Sequence, residues 1–175
     1  MGIKTDHADD YNRGKRDERE FKALMLKNGP VEDSSEFVDI FNHIDQYVFI
    51  DGEKVSVDVK GLKKINKWDS DTDDSRHYVE EKNVTGNTGW LFGDQDYIPF
   101  QTNNHWVVVD KLRLQYFIIL NCTDKKVYDR KMLYKRYGRS KWGKKDVIIL
   151  VETKKLKDIS TWIFERDKSY VDPTD

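Results

Sequence analysis

The feature that most constrains this chain is the dipeptide Asp51-Gly52, set between two runs in which apolar and polar residues alternate, Ile44 to Ile50 and Glu53 to Lys60. Asp-Gly suits the positive φ angles of a two-residue hairpin turn, and strict alternation is the pattern of a strand with one buried face. The spacing predicts a β-hairpin over 44–60. With two residues in the loop, Ile50 pairs with Glu53 and each paired couple of positions sums to 103. A four-residue loop keeps that register and a three-residue loop breaks it. Ile44, Val48, Ile50, Val55, Val57 and Val59 then share one face, while Asp45, Asp58 and Lys60 share the other, with Asp45 directly opposite Asp58. Opposed side chains have β-carbons about 4.5–5.5 Å apart, where two carboxylates repel, so something positive belongs between them.

A hard divalent cation meets that demand. Mg²⁺, with Mn²⁺ as a substitute, prefers oxygen ligands, accepts one or two carboxylates and leaves its other positions to water and phosphate oxygens. Bound there it would acidify a water and neutralise charge on a phosphoryl group. Lys60, on the same face as Asp58, would orient that water or stabilise the developing charge. Glu20, four residues before Leu24 and so on the inward side of a first helix, is a candidate to complete the site.

Around the hairpin, positions 1–175 read as one domain, long enough for a single core. The first ten residues are polar and expected to be loose. Residues 12–27 are helix-permissive, with Phe21, Leu24 and Met25 as an apolar stripe and Asn28-Gly29-Pro30 as a stop. Asp33 and Glu36 resemble a capping pair for a short second helix carrying Phe37, Val38, Ile40 and Phe41. Strands are expected over 77–84, 97–100, 106–109 and 146–151. The run 112–120 is ambiguous between helix and strand, and the tail through Trp162 and Phe164 reads as a final helix. This order predicts an α/β or α+β domain with helices against one central mixed sheet.

Aromatic residues make up 13% of the chain, too many for a disordered polypeptide, so a small and ring-rich core is expected despite the 36% of charged residues. The net charge is only −1, but charge is segregated along the chain. Positions 69–74 read Asp-Ser-Asp-Thr-Asp-Asp, whereas 130–145 holds Arg130, Lys131, Lys135, Arg136, Arg139, Lys141, Lys144 and Lys145 without an acid. Interleaved with Tyr134, Tyr137 and Trp142, this run suits phosphate contacts and stacking, and predicts a nucleic-acid partner. DNA is placed ahead of RNA, although no 2′-hydroxyl reader is recognisable.

Lys82, Asn83 and Trp90 are further candidates for substrate contact, with Trp90 equally suited to a core position beside Leu91 and Phe92. His43 and His105 show no zinc-site spacing and are read as structural. Cys122 is the only cysteine, which excludes an intramolecular disulfide, and it is read as a small buried residue. No apolar run reaches membrane-span length and the amino terminus lacks a signal-peptide core. The expectation is therefore a soluble cytoplasmic protein, in the host-cell cytoplasm if viral, with no membrane partner.

An acid, any residue and Lys occur in that order six times, at Glu20, Asp58, Glu80, Asp124, Asp129 and Glu152, so the tripeptide alone distinguishes nothing. Only Asp58-Val59-Lys60 lies on a strongly patterned strand with an upstream Asp in register. His43-Ile44-Asp45 and Val57-Asp58-Val59-Lys60-Gly61, with Glu20 on the first helix, resemble the PD-(D/E)XK nuclease superfamily, in which an Asp begins one strand and an acid, any residue and Lys end the next. Val79-Glu80-Glu81-Lys82-Asn83, Gly89-Trp90-Leu91-Phe92-Gly93 and Asp96-Tyr97-Ile98 look like small phage-encoded members of that group. Ile44 stands where a Pro gives the superfamily its name, and the resemblance covers roughly positions 12–110.

The resemblance implies a restriction-endonuclease-like core and a metal-dependent endonuclease hydrolysing phosphodiester bonds in DNA. Asp45, Asp58 and Glu20 would be metal ligands and Lys60 would assist the attacking water. A junction resolvase of the same superfamily, working as a homodimer, and a non-catalytic nucleic-acid-binding or host-interaction protein on the same scaffold stay open as alternatives.

Overall fold

The hairpin forms in the expected register. In the computed structural model, which describes residues 5–64, 71–127, 131–138, 143 and 145–174, β2 (Gln46–Ile50) pairs antiparallel with β3 (Glu53–Val57) from Gln46↔Val57 to Ile50↔Glu53. Asp51 and Gly52 both take positive φ, 53° and 83°, the sign pattern that a tight two-residue turn requires. Val48, Ile50 and Val57 are buried on one face, and α1 (Thr5–Met25) lies across them with Phe21 and Met25 fully buried. Phe21 meets Trp106 edge-on, with ring centroids 5.1 Å apart.

The fold is α+β and contains two sheets in place of the one expected. The first has six strands in the order β1 (Glu32–Asp33), β2, β3, β5 (Tyr97–Gln101), β6 (His105–Asp110) and β10 (Trp162–Glu165), and is mixed because β3 and β5 run parallel. The second has four strands in the order β4 (Arg76–Lys82), β9 (Val147–Glu152), β8 (Lys135–Gly138) and β7 (Thr123–Val127). Val79, Ile149 and Val151 of the second sheet pack with Ile98, Phe100, Val107 and Val109 of the first. Leu114 and Ile118 of α3 (Lys111–Asn121) and Leu156 of α4 (Thr153–Asp158) join that core. The first sheet is thus covered by α1 on one face and by the second sheet on the other.

Several expectations are corrected here. The first helix begins by Thr5, so part of the supposedly loose start is helical. Ser35, not Asp33, caps α2 (Glu36–Asn42), its hydroxyl accepting the Val38 N–H, while Asp33 sits in β1. Trp162 and Phe164 lie on a strand, because their two-residue spacing puts both rings on the α1 side of the first sheet beside Val108 and Trp106. The ambiguous run 112–120 is helical and apolar on two sides. Leu114 and Ile118 are buried, whereas Leu112, Tyr116, Ile119 and Leu120 are exposed, which is why no single period emerged. Strands β7 and β8 occupy a region expected only to be basic. No helix among the described residues is long and apolar enough to cross a membrane.

Just beyond β3, Gly61 carries α1. A β-carbon there would stand 1.7 Å from Asp17 Oδ2, so with any larger residue the Asp17 side chain must turn aside or the helix shift. Gly14, inside the same helix, has nothing near its missing β-carbon. Replacing Gly61 by Ala should therefore cost about 1–3 kcal/mol through overpacking. Gly14→Ala should instead gain about 1 kcal/mol from helix propensity. Urea unfolding of both variants measures this, and equal effects would contradict the close approach.

Candidate active site

The chain exchanges partners at one point. Up to Val57, β3 bonds to β2. From Asp58 onward it bonds to β5, with Asp58 N–H donating to the Tyr97 carbonyl (3.2 Å) and Lys60 N–H to the Pro99 carbonyl (2.9 Å). At this fork Asp45, one residue before β2, turns its own N–H onto the Val57 carbonyl (2.9 Å) and accepts the Val59 N–H on Oδ2 (2.6 Å). The opposition of Asp45 and Asp58 is thereby locked from the backbone.

Asp58 is 3% exposed. Its Oδ1 accepts a 2.5 Å hydrogen bond from Lys60 Nζ, whose cation also sits 5.1 Å from the Trp90 ring centroid. The Asp45 and Asp58 carboxyl groups are close enough for the charge on Asp58 to raise the pKa of Asp45. As carboxylates both are acceptors only, and Asp58 Oδ2 has no donor among the described residues. Only a shared proton or a cation makes such a contact favourable.

The ionisation of the cluster follows. Burial and then the Asp58 charge push the Asp45 carboxyl up to about 8. Burial raises Asp58 as well, against the pull of Lys60. Burial opposes the Lys60 ammonium, but the two aspartates outweigh it and hold its pKa above the ordinary value. Glu18 of α1 is raised to about 7, first by burial and then by Asp45.

The site opens into a cleft of about 380 Å³ lined by Arg13, Lys15, Asp17, Glu18, Asp39, His43, Asp45, Asp58, Lys60 and Lys63. Two converging carboxylates, a buried oxygen without a donor and an open side fit a hard divalent cation. Asp45 and Asp58 would hold it. Among the described residues no group of three or more His, Cys, Asp or Glu side chains is arranged to enclose a metal ion. Water and phosphate oxygens would thus supply the remaining ligands.

Of the residues singled out in the sequence, Asp45, Asp58 and Lys60 are brought together. Glu20 is buried on the inward side of α1, as its phase implied, but Arg166 grips it through two hydrogen bonds (2.6 and 2.7 Å) and Gln101 donates a third (3.1 Å). It does not line the cleft, and Asp17 and Glu18 are the helix acids that do. Asp17, Glu18 and Glu20 point in three helical directions, so only the rotation of α1 against the sheet selects between them.

Trp90 is 7% exposed and belongs to the core between the sheets. Asn83 organises a turn by accepting the Thr85 and Asn87 N–H groups, and Lys82 is exposed at the end of β4; neither lines the cleft. Arg136 is clamped by Glu81 (2.8 Å) and donates to the Thr123 carbonyl, which makes it a strut of the second sheet. Lys135 lies on β8, and Lys131 and Lys145 flank it. Arg130, Arg139, Lys141, Trp142 and Lys144 lie outside the described residues, as do positions 69 and 70 of the acidic stretch. His43 takes a left-handed conformation at the end of α2 and faces the cleft.

The chain matches no protein-family model, and neither curated proteins nor solved structures yield a match.

Asp45 keeps its proton to about pH 8 when folded, against about 3.9 for an unfolded aspartate. Across that window the folded chain binds more protons than the unfolded one, so stability falls as pH rises. In metal-free protein the unfolding midpoint of Asp45→Asn should gain on wild type between pH 5 and pH 8. A gap that stays constant across that range would show that Asp45 is ionised in the fold.

Proposed function

We propose that the protein is a metal-dependent endonuclease on a restriction-endonuclease-like core, hydrolysing phosphodiester bonds in nucleic acid, with DNA ahead of RNA. One observation carries the reading: a buried carboxyl group, Asp58, and a half-buried one, Asp45, oppose each other, one Asp58 oxygen has no donor among the described residues, and a lysine is bonded to Asp58 at the head of an open cleft. Lys60 at 2.5 Å from Asp58 and the resemblance carried by Asp58-Val59-Lys60 support the same chemistry.

In this mechanism Asp45 and Asp58 would hold Mg²⁺, which when bound would acidify a water and neutralise charge on the phosphate. The Val59 N–H fixes Asp45, so that the ligand geometry exists before substrate arrives. Lys60 stays protonated beside Asp58 and is positioned to stabilise charge developing on the phosphoryl oxygens or to orient the attacking water. Glu18 and Asp39, across the cleft, are placed to orient waters around the site. The paired Glu20 and Arg166 tie α1 to the segment after β10 and thus hold the cleft wall in place.

Plasmid, single-stranded and branched DNA incubated with Mg²⁺ or Mn²⁺ test the reading. Wild type should cleave at least one of them, Asp58→Asn and Asp45→Asn should fall to background, and Lys60→Met should lose about 10²–10³-fold in rate. Glu20→Gln should lower the unfolding midpoint yet cleave below that temperature. If wild type and Asp58→Asn leave the same trace on every substrate, the nuclease reading fails.

A further inference from the structure

Four large apolar side chains of α3 point away from the core. Leu112, Tyr116, Ile119 and Leu120 are between 63 and 70% exposed. Their spacing puts them in a single stripe along the helix, opposite the buried Leu114 and Ile118. The helix is seated from its other sides, with Gln115 Nε2 donating to the Leu91 carbonyl (2.7 Å) and Arg113 to the Ile159 carbonyl (3.3 Å). Phe92, next to Leu91, is itself 49% exposed. Single exposed apolar residues need no explanation, but a continuous stripe does. The four side chains present on the order of 400–500 Å² of apolar surface, near the largest patch that an ordinary monomer carries.

The stripe is complementary to itself. It contains no charge, so a second copy laid on it leaves no ion buried without a partner. A helix favours acids near its amino end and bases near its carboxyl end. In α3 the arrangement is reversed: Lys111 and Arg113 stand in the first turn, the last turn holds no base, and no acid lies between Lys111 and Asn121. A copy of the same helix running antiparallel corrects this. About a two-fold axis through Tyr116, Leu112 of one copy packs on Leu120 of the other, and Arg113, at the margin of the stripe, comes beside the carboxyl-terminal carbonyls of the second helix. Two such faces bury on the order of 1,000 Å² with their flanks, the size at which a specific contact begins.

We propose that α3 is the contact through which two copies of this chain form an antiparallel, two-fold dimer. The inference does not depend on the nuclease reading. It gives the particle two clefts related by the same axis.

The test uses the full chain without metal or nucleic acid. Sedimentation velocity from about 1 to 100 μM should show a monomer–dimer equilibrium, as a contact of this size gives. Ile119 is 70% exposed in the monomer, so Ile119→Asp should keep the unfolding midpoint of the dilute protein while weakening dimerisation at least about 10-fold, through a charge placed in the dry contact. Cross-linking checks the geometry independently. In Cys122→Ser protein, which lacks the one native thiol, Tyr116→Cys stands on the axis and should form an interchain disulfide under mild oxidation. Leu112→Cys should not, because its two copies stand about 12 Å apart along the helices, beyond the reach of a disulfide. A monomer at every concentration, a dimer that Ile119→Asp leaves unchanged, or equal cross-linking at positions 112 and 116 would overturn the proposal. The nuclease reading stands or falls separately, on cleavage.

Discussion

Two carboxyl groups held against their own repulsion are the constraint on which the rest of the arrangement turns. Asp45 and Asp58 face each other where β3 leaves β2 and takes β5 as its neighbour. At a regular antiparallel pair, side chains would simply splay apart to relieve such a contact. Here the freedom to do so is removed, because the Val59 N–H pins one carboxylate and the Lys60 ammonium pins the other. The strain on the pair is expressed as retained protons, with Asp45 protonated to about pH 8. A group that must take up either a proton or a cation is a plain physical basis for the metal affinity proposed above.

Lys60 links this strain to the rest of the molecule. It lines both the carboxylate cleft and a smaller cavity of about 160 Å³ beside Trp90, and its charge lies over Trp90 on one side and against Asp58 on the other. A residue so placed cannot be moved for one purpose without changing the other. On the opposite wall, Asp17 closes against Gly61 and Glu20 is clamped by Arg166. The acids of α1 are thus divided between holding the helix and facing the cleft.

The hairpin was legible in the sequence because a two-residue Asp-Gly turn leaves one register, and alternation then assigns every side chain to a face. Asp45, Asp58 and Lys60 followed from that count alone. Glu18 did not, because a helix carrying acids at 17, 18 and 20 offers one to almost any face, and its rotation is set by Phe21 and Met25 finding Trp106 and Val48. The second sheet was hidden for a related reason. Thr123–Val127 and Lys135–Gly138 are polar strands at and next to the sheet edge, and the charges of the second read as a surface for a ligand when Arg136 is in fact spent on Glu81. The cavity beside Lys60 had no linear signal, since its walls come from five separate segments of the chain.

The most direct measurement is the anomalous diffraction of crystals grown with Mn²⁺. A peak between the Asp45 and Asp58 carboxylates, lost in Asp58→Asn crystals grown in the same solution, is the expected result. Ordered Mn²⁺ elsewhere with that position empty, and the two side chains still in contact, would mean that a shared proton holds the pair and that the site is not built for a metal.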